Sequence, residues 1–270
     1  MAISKKKSCR KLAVGKVALA MCCVVALSGL LLANDAHAVS ILMITNNNTT
    51  SQSLNDFLEG AGHTVTRGAF GGAAPTPAEL AGVHLVLVAR ETNSGDYDDG
   101  GEPQDWNALP VPMISMAPHL MRASRWGWIN GESLPGLGDI TDFDAYPDPS
   151  HPFLTGVSST AILDPAFAAT GASSPLPASA LVVATHDTGA SHGIFVIPAG
   201  TDMFNGRGTA GDVRVGYIRG NEGSWDNITA DGEQILLNMI DQVAIPEPST
   251  LMLAALGLFG LACLRRRRAM

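Results

Sequence analysis

Val83-His84-Leu85-Val86-Leu87-Val88-Ala89-Arg90 is the stretch on which the fold turns. From Leu85 to Val88 every residue is aliphatic, with no alternation of apolar and polar. A strand with one wet face would alternate; an unbroken run of this length is a strand buried on both faces, as in the middle of a parallel sheet. Parallel neighbours require crossover segments, so helices are expected on either side in the sequence. Upstream, Val39 to Thr45 is a second apolar run, ending in the polar Asn46-Asn47-Asn48. Downstream, Val111-Pro112-Met113-Ile114-Ser115-Met116 is a third.

The segments between these runs carry helical signals. Thr50 to Leu58 has helical apolar spacing, with Thr49, Thr50 or Ser51 as N-cap and Gly60 and Gly62 beyond the end. Pro77 to Leu80, after Thr76, predicts a brief helix opened by an N1 proline. His119 to Arg125 follows the third strand, and 63–66 predicts a short strand. Beyond Trp128 the rhythm loosens, and Asp139 to Pro152 is a loop rich in proline and aspartate. Strands resume at 181–184, 193–197 and 213–218, and a closing helix over 230–243 places Ile235, Leu236, Met239, Ile240 and Val243 on one face. The fold class predicted is α/β, a flavodoxin-like parallel-sheet sandwich with an antiparallel extension.

The ends read differently from the middle. Lys5, Lys6, Lys7, Arg10, Lys11 and Lys16 precede an apolar run from Val17 to Ala33 and the small-x-small triplet Ala36-His37-Ala38. Those are the parts of a secretory signal peptide, cleaved after Ala38; an uncleaved anchor is the alternative. At the other end Ile245-Pro246-Glu247-Pro248-Ser249-Thr250 leads into Leu251 to Leu264, uncharged, and then Arg265 to Arg268. The apolar run is short of the roughly 20 residues of a comfortable span. The arginines hold its end at the cytoplasmic face, and the prolines keep the preceding backbone extended. Three segments follow: 1–38, signal peptide; 39–244, α/β domain; 245–270, sorting tail.

Composition sets limits. Cys9, Cys22, Cys23 and Cys263 all lie in the end segments, so the middle has no disulfide, thiolate metal site or cysteine nucleophile. Between Val39 and Ile245 there are seven arginines, no lysine and 23 acidic residues, a net charge of −16. Nucleic acid and anionic lipid are poor partners for such a surface.

The tail resembles the PEP-CTERM sorting signal of Gram-negative bacteria through Pro246, Glu247 and Pro248, the apolar run and the arginine cluster together. The resemblance implies recognition by an exosortase, a membrane protease, after export by the Sec machinery and signal peptidase. The membrane would then be occupied only transiently, and the product would reach the cell surface or an extracellular matrix, with exopolysaccharide as a partner. From Ile41 to Val243 the chain is similar to the class I glutamine-amidotransferase-like fold, nearest its ThuA-like branch. His151-Pro152-Phe153-Leu154-Thr155-Gly156-Val157, Leu163-Asp164-Pro165, Gly216-Tyr217-Ile218 and Ser224-Trp225-Asp226-Asn227, with the closing helix and its Asn238, carry that likeness.

In amidotransferases a cysteine sits at a tight strand-to-helix turn. Matching His119 to the family's turn histidine puts Met116 at the nucleophile position, and a thioether cannot attack a carbonyl. Ser115 is one residue away, without the glycine-flanked elbow of a nucleophilic serine. Other candidates are more dispersed. His119 and His151, with nearby carboxylates, are the acid/base candidates of an alternative reading as an exported carbohydrate-modifying enzyme. His186, Asp187 and His192 either approach across a hairpin to hold a divalent metal or cap turns. Asp96, Asp98 and Asp99 either offer oxygen ligands to calcium or form a solvated acidic loop; Asp139, Asp142, Asp144 and Asp148 pose the same choice. No organic cofactor is expected. Trp106, Arg122, Arg125, Trp126 and Trp128 fall near the C-terminal edge of the predicted sheet, where α/β proteins bind ligands. They form either a shelf for saccharide rings or a plug in the core. The leading expectation is a non-catalytic surface or matrix protein that binds saccharide through this edge.

Overall fold

The structure, a computed structural model, describes residues 38–46, 51–68, 72–90, 92–132, 134, 136–140, 142–162, 167–170, 172–186, 191–218 and 224–244. The signal-peptide and sorting-tail segments therefore lie outside the described residues, apart from Ala38. Among the described residues no helix is long and apolar enough to cross a membrane.

The strand at the heart of the sequence argument is β3, Leu85–Val88, and all four of its residues are buried. It pairs in parallel with β1 (Ser40–Ile44) on one side and β4 (Met113–Ser115) on the other. β2 (Thr64–Gly68) flanks β1, and β9 (Arg214–Tyr217) flanks β4, both also parallel. Two antiparallel strands, β8 (Ser191–Ile197) and β7 (Leu181–His186), extend the sheet. The order β2-β1-β3-β4-β9-β8-β7 reverses direction of travel between β1 and β3. Its first five positions follow the doubly wound order of flavodoxin-like folds.

Side-chain alternation along the strands separates two cores. Ile41, Met43, Leu85, Leu87, Ile114, Val215 and Tyr217 face one side. There they meet Leu54 and Leu58 of α1 (Gln52–Gly60) and Ile235, Leu236, Met239 and Ile240 of the closing helix, Ala230–Ala244. Leu42, Ile44, Val86, Val88, Met113, Phe195 and Ile197 face the other side. That face is covered by α2 (Glu102–Asn107), α3 (Pro118–Met121) and the loops that carry the tryptophans. The closing helix, α4, runs back against the strands. Gly232 near its start accepts from the Tyr217 hydroxyl at 3.0 Å, while Ala244 at its end shares a core with Val39.

Three expectations are corrected. Pro77 to Leu80 makes hydrogen-bonded turns rather than a helix. Thr76 and Glu79 close a capping box there, with Glu79 accepting from the Thr76 N–H at 2.7 Å, but the chain has only a few residues before β3 must begin. The helix expected over 119–125 is shorter, because Arg122 turns to extended backbone (ψ 157°). The Asp139–Pro152 loop overlaps a strand: β5 (Gly136–Ile140) pairs with β6 (Phe167–Thr170) in a separate two-stranded sheet. For α1, Ser51 is the N-cap but makes no side-chain cap bond; Thr49 and Thr50 lie outside the described residues.

Candidate functional site

An open α/β sheet leaves a crevice where its strand order reverses, outside the carboxyl ends of the strands. Here that point lies between the ends of β1 and β3. The chain leaving β3 folds over it. Thr92 donates to the Ile44 carbonyl at 3.2 Å, and the Asn46 amide donates to Asp96 at 2.9 Å. The Tyr97 hydroxyl donates to Asn46 Oδ1 at 3.2 Å, and Asn93 caps the turn by accepting from Gly95 N–H. Arg122, arriving from beyond α3, donates to Ser94 Oγ at 3.2 Å and to the His119 carbonyl at 3.0 Å. Asn46 and Asp96 are exposed and Arg122 is half-buried, so an amide, a carboxylate and a guanidinium stand together on the rim. Tyr97 is fully buried; burial first, then the Asp96 and Glu102 carboxylates, push its phenol up to about 12, so it stays a neutral donor.

β4, next to β3, ends in the turn that carries Ser115 and Met116. Met116 is fully buried there and its N–H donates to the Val88 carbonyl. Ser115 is also fully buried, and its Oγ accepts from the Ala117 N–H at 3.3 Å. Both side chains are closed off from solvent. His119 is half-buried at the start of α3. His151 lies away in the sequence as the N-cap of the 3-10 turn Pro152–Leu154, where Nδ1 accepts from Phe153 N–H at 3.3 Å. Burial lowers its pKa, opposed by Asp148.

The tryptophans are not a shelf. Trp106, Trp126 and Trp128 are each 0% exposed, so no ring face is open to a sugar. Trp106 stacks on Trp126 (centroids 5.4 Å, 26° between planes), Trp126 packs on Trp128 at 5.5 Å, and Tyr97 meets Trp106 edge-on. Asn107 is the polar centre of this layer. Its amide donates to the Trp126 and Arg207 carbonyls, each at 2.7 Å, and its Oδ1 accepts from Trp128 Nε1 at 2.8 Å. The physical reason is the loose chain of 122–131: with little regular structure to cover this face of the sheet, large flat rings fill the volume. Arg125 pairs with Asp98, the local pairing that a core plug implies.

Among the described residues the metal candidates are not brought together. Strand register sets Thr185 opposite His192 and His186 opposite Ser191, so the two histidines point to opposite faces of the sheet. His192 Nε2 lies 3.2 Å from the Ser174 carbonyl; both His186 nitrogens lie on carbonyls, Nδ1 at Asp142 (3.1 Å) and Nε2 at Ile218 (2.9 Å). Asp187 lies outside the described residues, as does the side chain of Asp139. Asp96 and Asp98 are tied to Asn46 and Arg125, Asp99 is exposed, and Asp148 accepts from Ser150. Among the described residues no group of three or more His, Cys, Asp and Glu is placed to hold a metal.

Arg214 is a residue the sequence reading passed over. It is fully buried inside β9 and donates to the carbonyls of Val111, Asn107 and Leu109 at 2.7–2.9 Å. Burial lowers its pKa to about 10, opposed by Asp212, so the guanidinium is charged at neutral pH. A charge in the middle of Val213-Arg214-Val215 was the available signal.

Comparison with known proteins bears on the tail and little on the middle. Residues 244–268 match the PEP-CTERM protein-sorting motif. The chain thus carries, at its end, the mark of an exported protein processed by exosortase. Among curated proteins none matches the chain. Among solved structures, a glutamine amidotransferase from Thermotoga maritima is similar at 11% identity and a TM-score of 0.39, over 76% of this chain and 82% of that one. Agd3, a carbohydrate deacetylase, is similar at 16% identity and a TM-score of 0.38, over 67% of this chain and 30% of that one. At those TM-scores neither likeness defines an activity for this chain.

Proposed function

We propose that the chain is a precursor trimmed at both ends and delivered as a non-catalytic surface or extracellular-matrix protein of a Gram-negative cell, in association with exopolysaccharide. The observation that carries this reading is the sorting motif, which begins at the residue where α4 ends. Six residues, 245–250, separate that helix from the apolar run at Leu251, a reach of at most about 20 Å for extended chain. The folded domain is therefore tethered close to the membrane until the tail is cut.

The turn after β4 supports a non-catalytic domain, since the atoms at the nucleophile position are a buried thioether and a hydroxyl spent on its own turn. Saccharide contact, on this reading, runs through Asn46, Asp96 and Arg122 at the β1/β3 rim rather than through the tryptophans. Amide, carboxylate and guanidinium groups suit hydroxyl ligands by geometry. The test is fractionation of the full chain expressed in an exosortase-bearing host and in the same host without the protease. The reading expects accumulation in the membrane without exosortase, and the same accumulation in Pro246→Ala/Pro248→Ala. Equal release in all three strains would sink it.

A further inference from the structure

The first strand starts between two histidines. The Val39 N–H points to His63 Nδ1 at 3.4 Å, and the Ser40 N–H donates to His84 Nδ1 at 3.1 Å. Val39 and His63 are both buried, at 2% and 7% exposure. The Asp241 carboxylate of α4 acts electrostatically on the His63 ring. Asp241 stands in the last turn of α4, which holds no basic residue. An acidic side chain at a helix carboxyl end adds to the negative end of the helix dipole instead of offsetting it. No basic side chain in that turn offsets it, and beyond Lys16 the sequence has no lysine.

We propose that the α-ammonium group of Val39, created by signal-peptide cleavage, is received here by His63 Nδ1, with the negative end of α4 that carries Asp241 favouring its charge. This rests on the reading of the chain as exported and cleaved after Ala38. Hydrolysis adds water across the Ala38–Val39 peptide bond, leaving a carboxylate on Ala38 and a protonated amine on Val39. One neutral N–H donor thereby becomes three donors and a positive charge. His63 must present an unprotonated Nδ1, with its proton on Nε2; burial, which lowers its pKa, favours that neutral form. The amine would add a charge interaction between the first strand and the last helix to the apolar core that Val39 and Ala244 already share. The uncleaved chain already places the Val39 nitrogen on His63, so cleavage changes the charge at a position that is set beforehand, and only processed molecules acquire the ammonium.

The absence of lysine makes the test direct. In the processed protein the α-amine is the sole primary amine, so an amine-acylating ester modifies that atom alone, as intact mass would record. Native processed protein should acylate at least about tenfold more slowly than the same protein in urea, since each unit of raised amine pKa removes about tenfold of the free base. Asp241→Asn, an exposed position, should speed native acylation. A native rate equal to the unfolded one, or one indifferent to D241N, overturns the proposal while leaving export intact. A mature terminus other than Val39 overturns the cleavage reading itself.

Discussion

Asn107 joins three pieces of chain through one side chain, taking the Trp128 indole and giving to the Trp126 and Arg207 carbonyls. Its own carbonyl accepts from Arg214. Removing the amide leaves several buried groups unpaired, at about 1–3 kcal/mol each. Asn107→Ala should therefore lower stability by about 3 kcal/mol or more in urea unfolding. Trp126→Ala should cost about 3–5 kcal/mol as a core truncation, a loss of folding stability rather than of a ligand. A near-neutral Trp126→Ala would return that ring to the surface. His186 gives the pH prediction. Burial holds its folded pKa below the ordinary 6.5, outweighing the two carbonyls and the Asp144 and Asp142 charges that raise it. The unfolded chain then takes up the proton first as pH falls. The stabilising contribution is complete above pH 6.5 and is lost as pH drops through the folded pKa. Because acid also relieves repulsion among the carboxylates, the test is a difference. The urea midpoint should fall more between pH 7.5 and pH 5 in the wild type than in His186→Gln.

At the scale of elements, the central strands were legible because an unbroken aliphatic run admits one environment. Leu85–Val88 and Met113–Ser115 are buried throughout, and the antiparallel extension appears where 181–184 and 193–197 suggested it. α4 was equally plain: it starts after Thr229, whose Oγ1 accepts from Gly232 N–H at 3.2 Å, and it buries Ile235, Leu236, Met239 and Ile240 of the expected stripe, with Val243 half-buried. Thr229→Ala should cost about 1 kcal/mol as a lost cap, measurable as a lower melting temperature. What the sequence hid was β5 and β6, a strand pair written in Gly136-Leu137-Gly138-Asp139-Ile140 and Phe167-Ala168-Ala169-Thr170 with little alternation. The site was less legible than the fold. Tryptophan and arginine look alike in sequence whether they line a cleft or close one, and here the loose 122–131 chain turned the rings inward. The polar rim at Asn46 and Asp96 depends on a chain reversal that places residues 50 apart side by side, which local pattern does not encode.

For the molecule as a whole, charge and ends dominate. With −16 between Val39 and Ile245, and Arg214 buried, Arg125 paired with Asp98 and Arg207 donating to backbone carbonyls, the solvent meets a largely acidic surface. Processed protein should show no cosedimentation with anionic lipid vesicles at physiological salt, whereas the precursor, with its basic ends, should bind. The central claim, an exported chain trimmed at both ends, is tested most directly by the intact mass of the form found outside the cell or on its surface. The account predicts a chain that begins at Val39 and ends near Pro246–Pro248, without the apolar run or the four arginines. A surface form that retains residues through Met270 would contradict it.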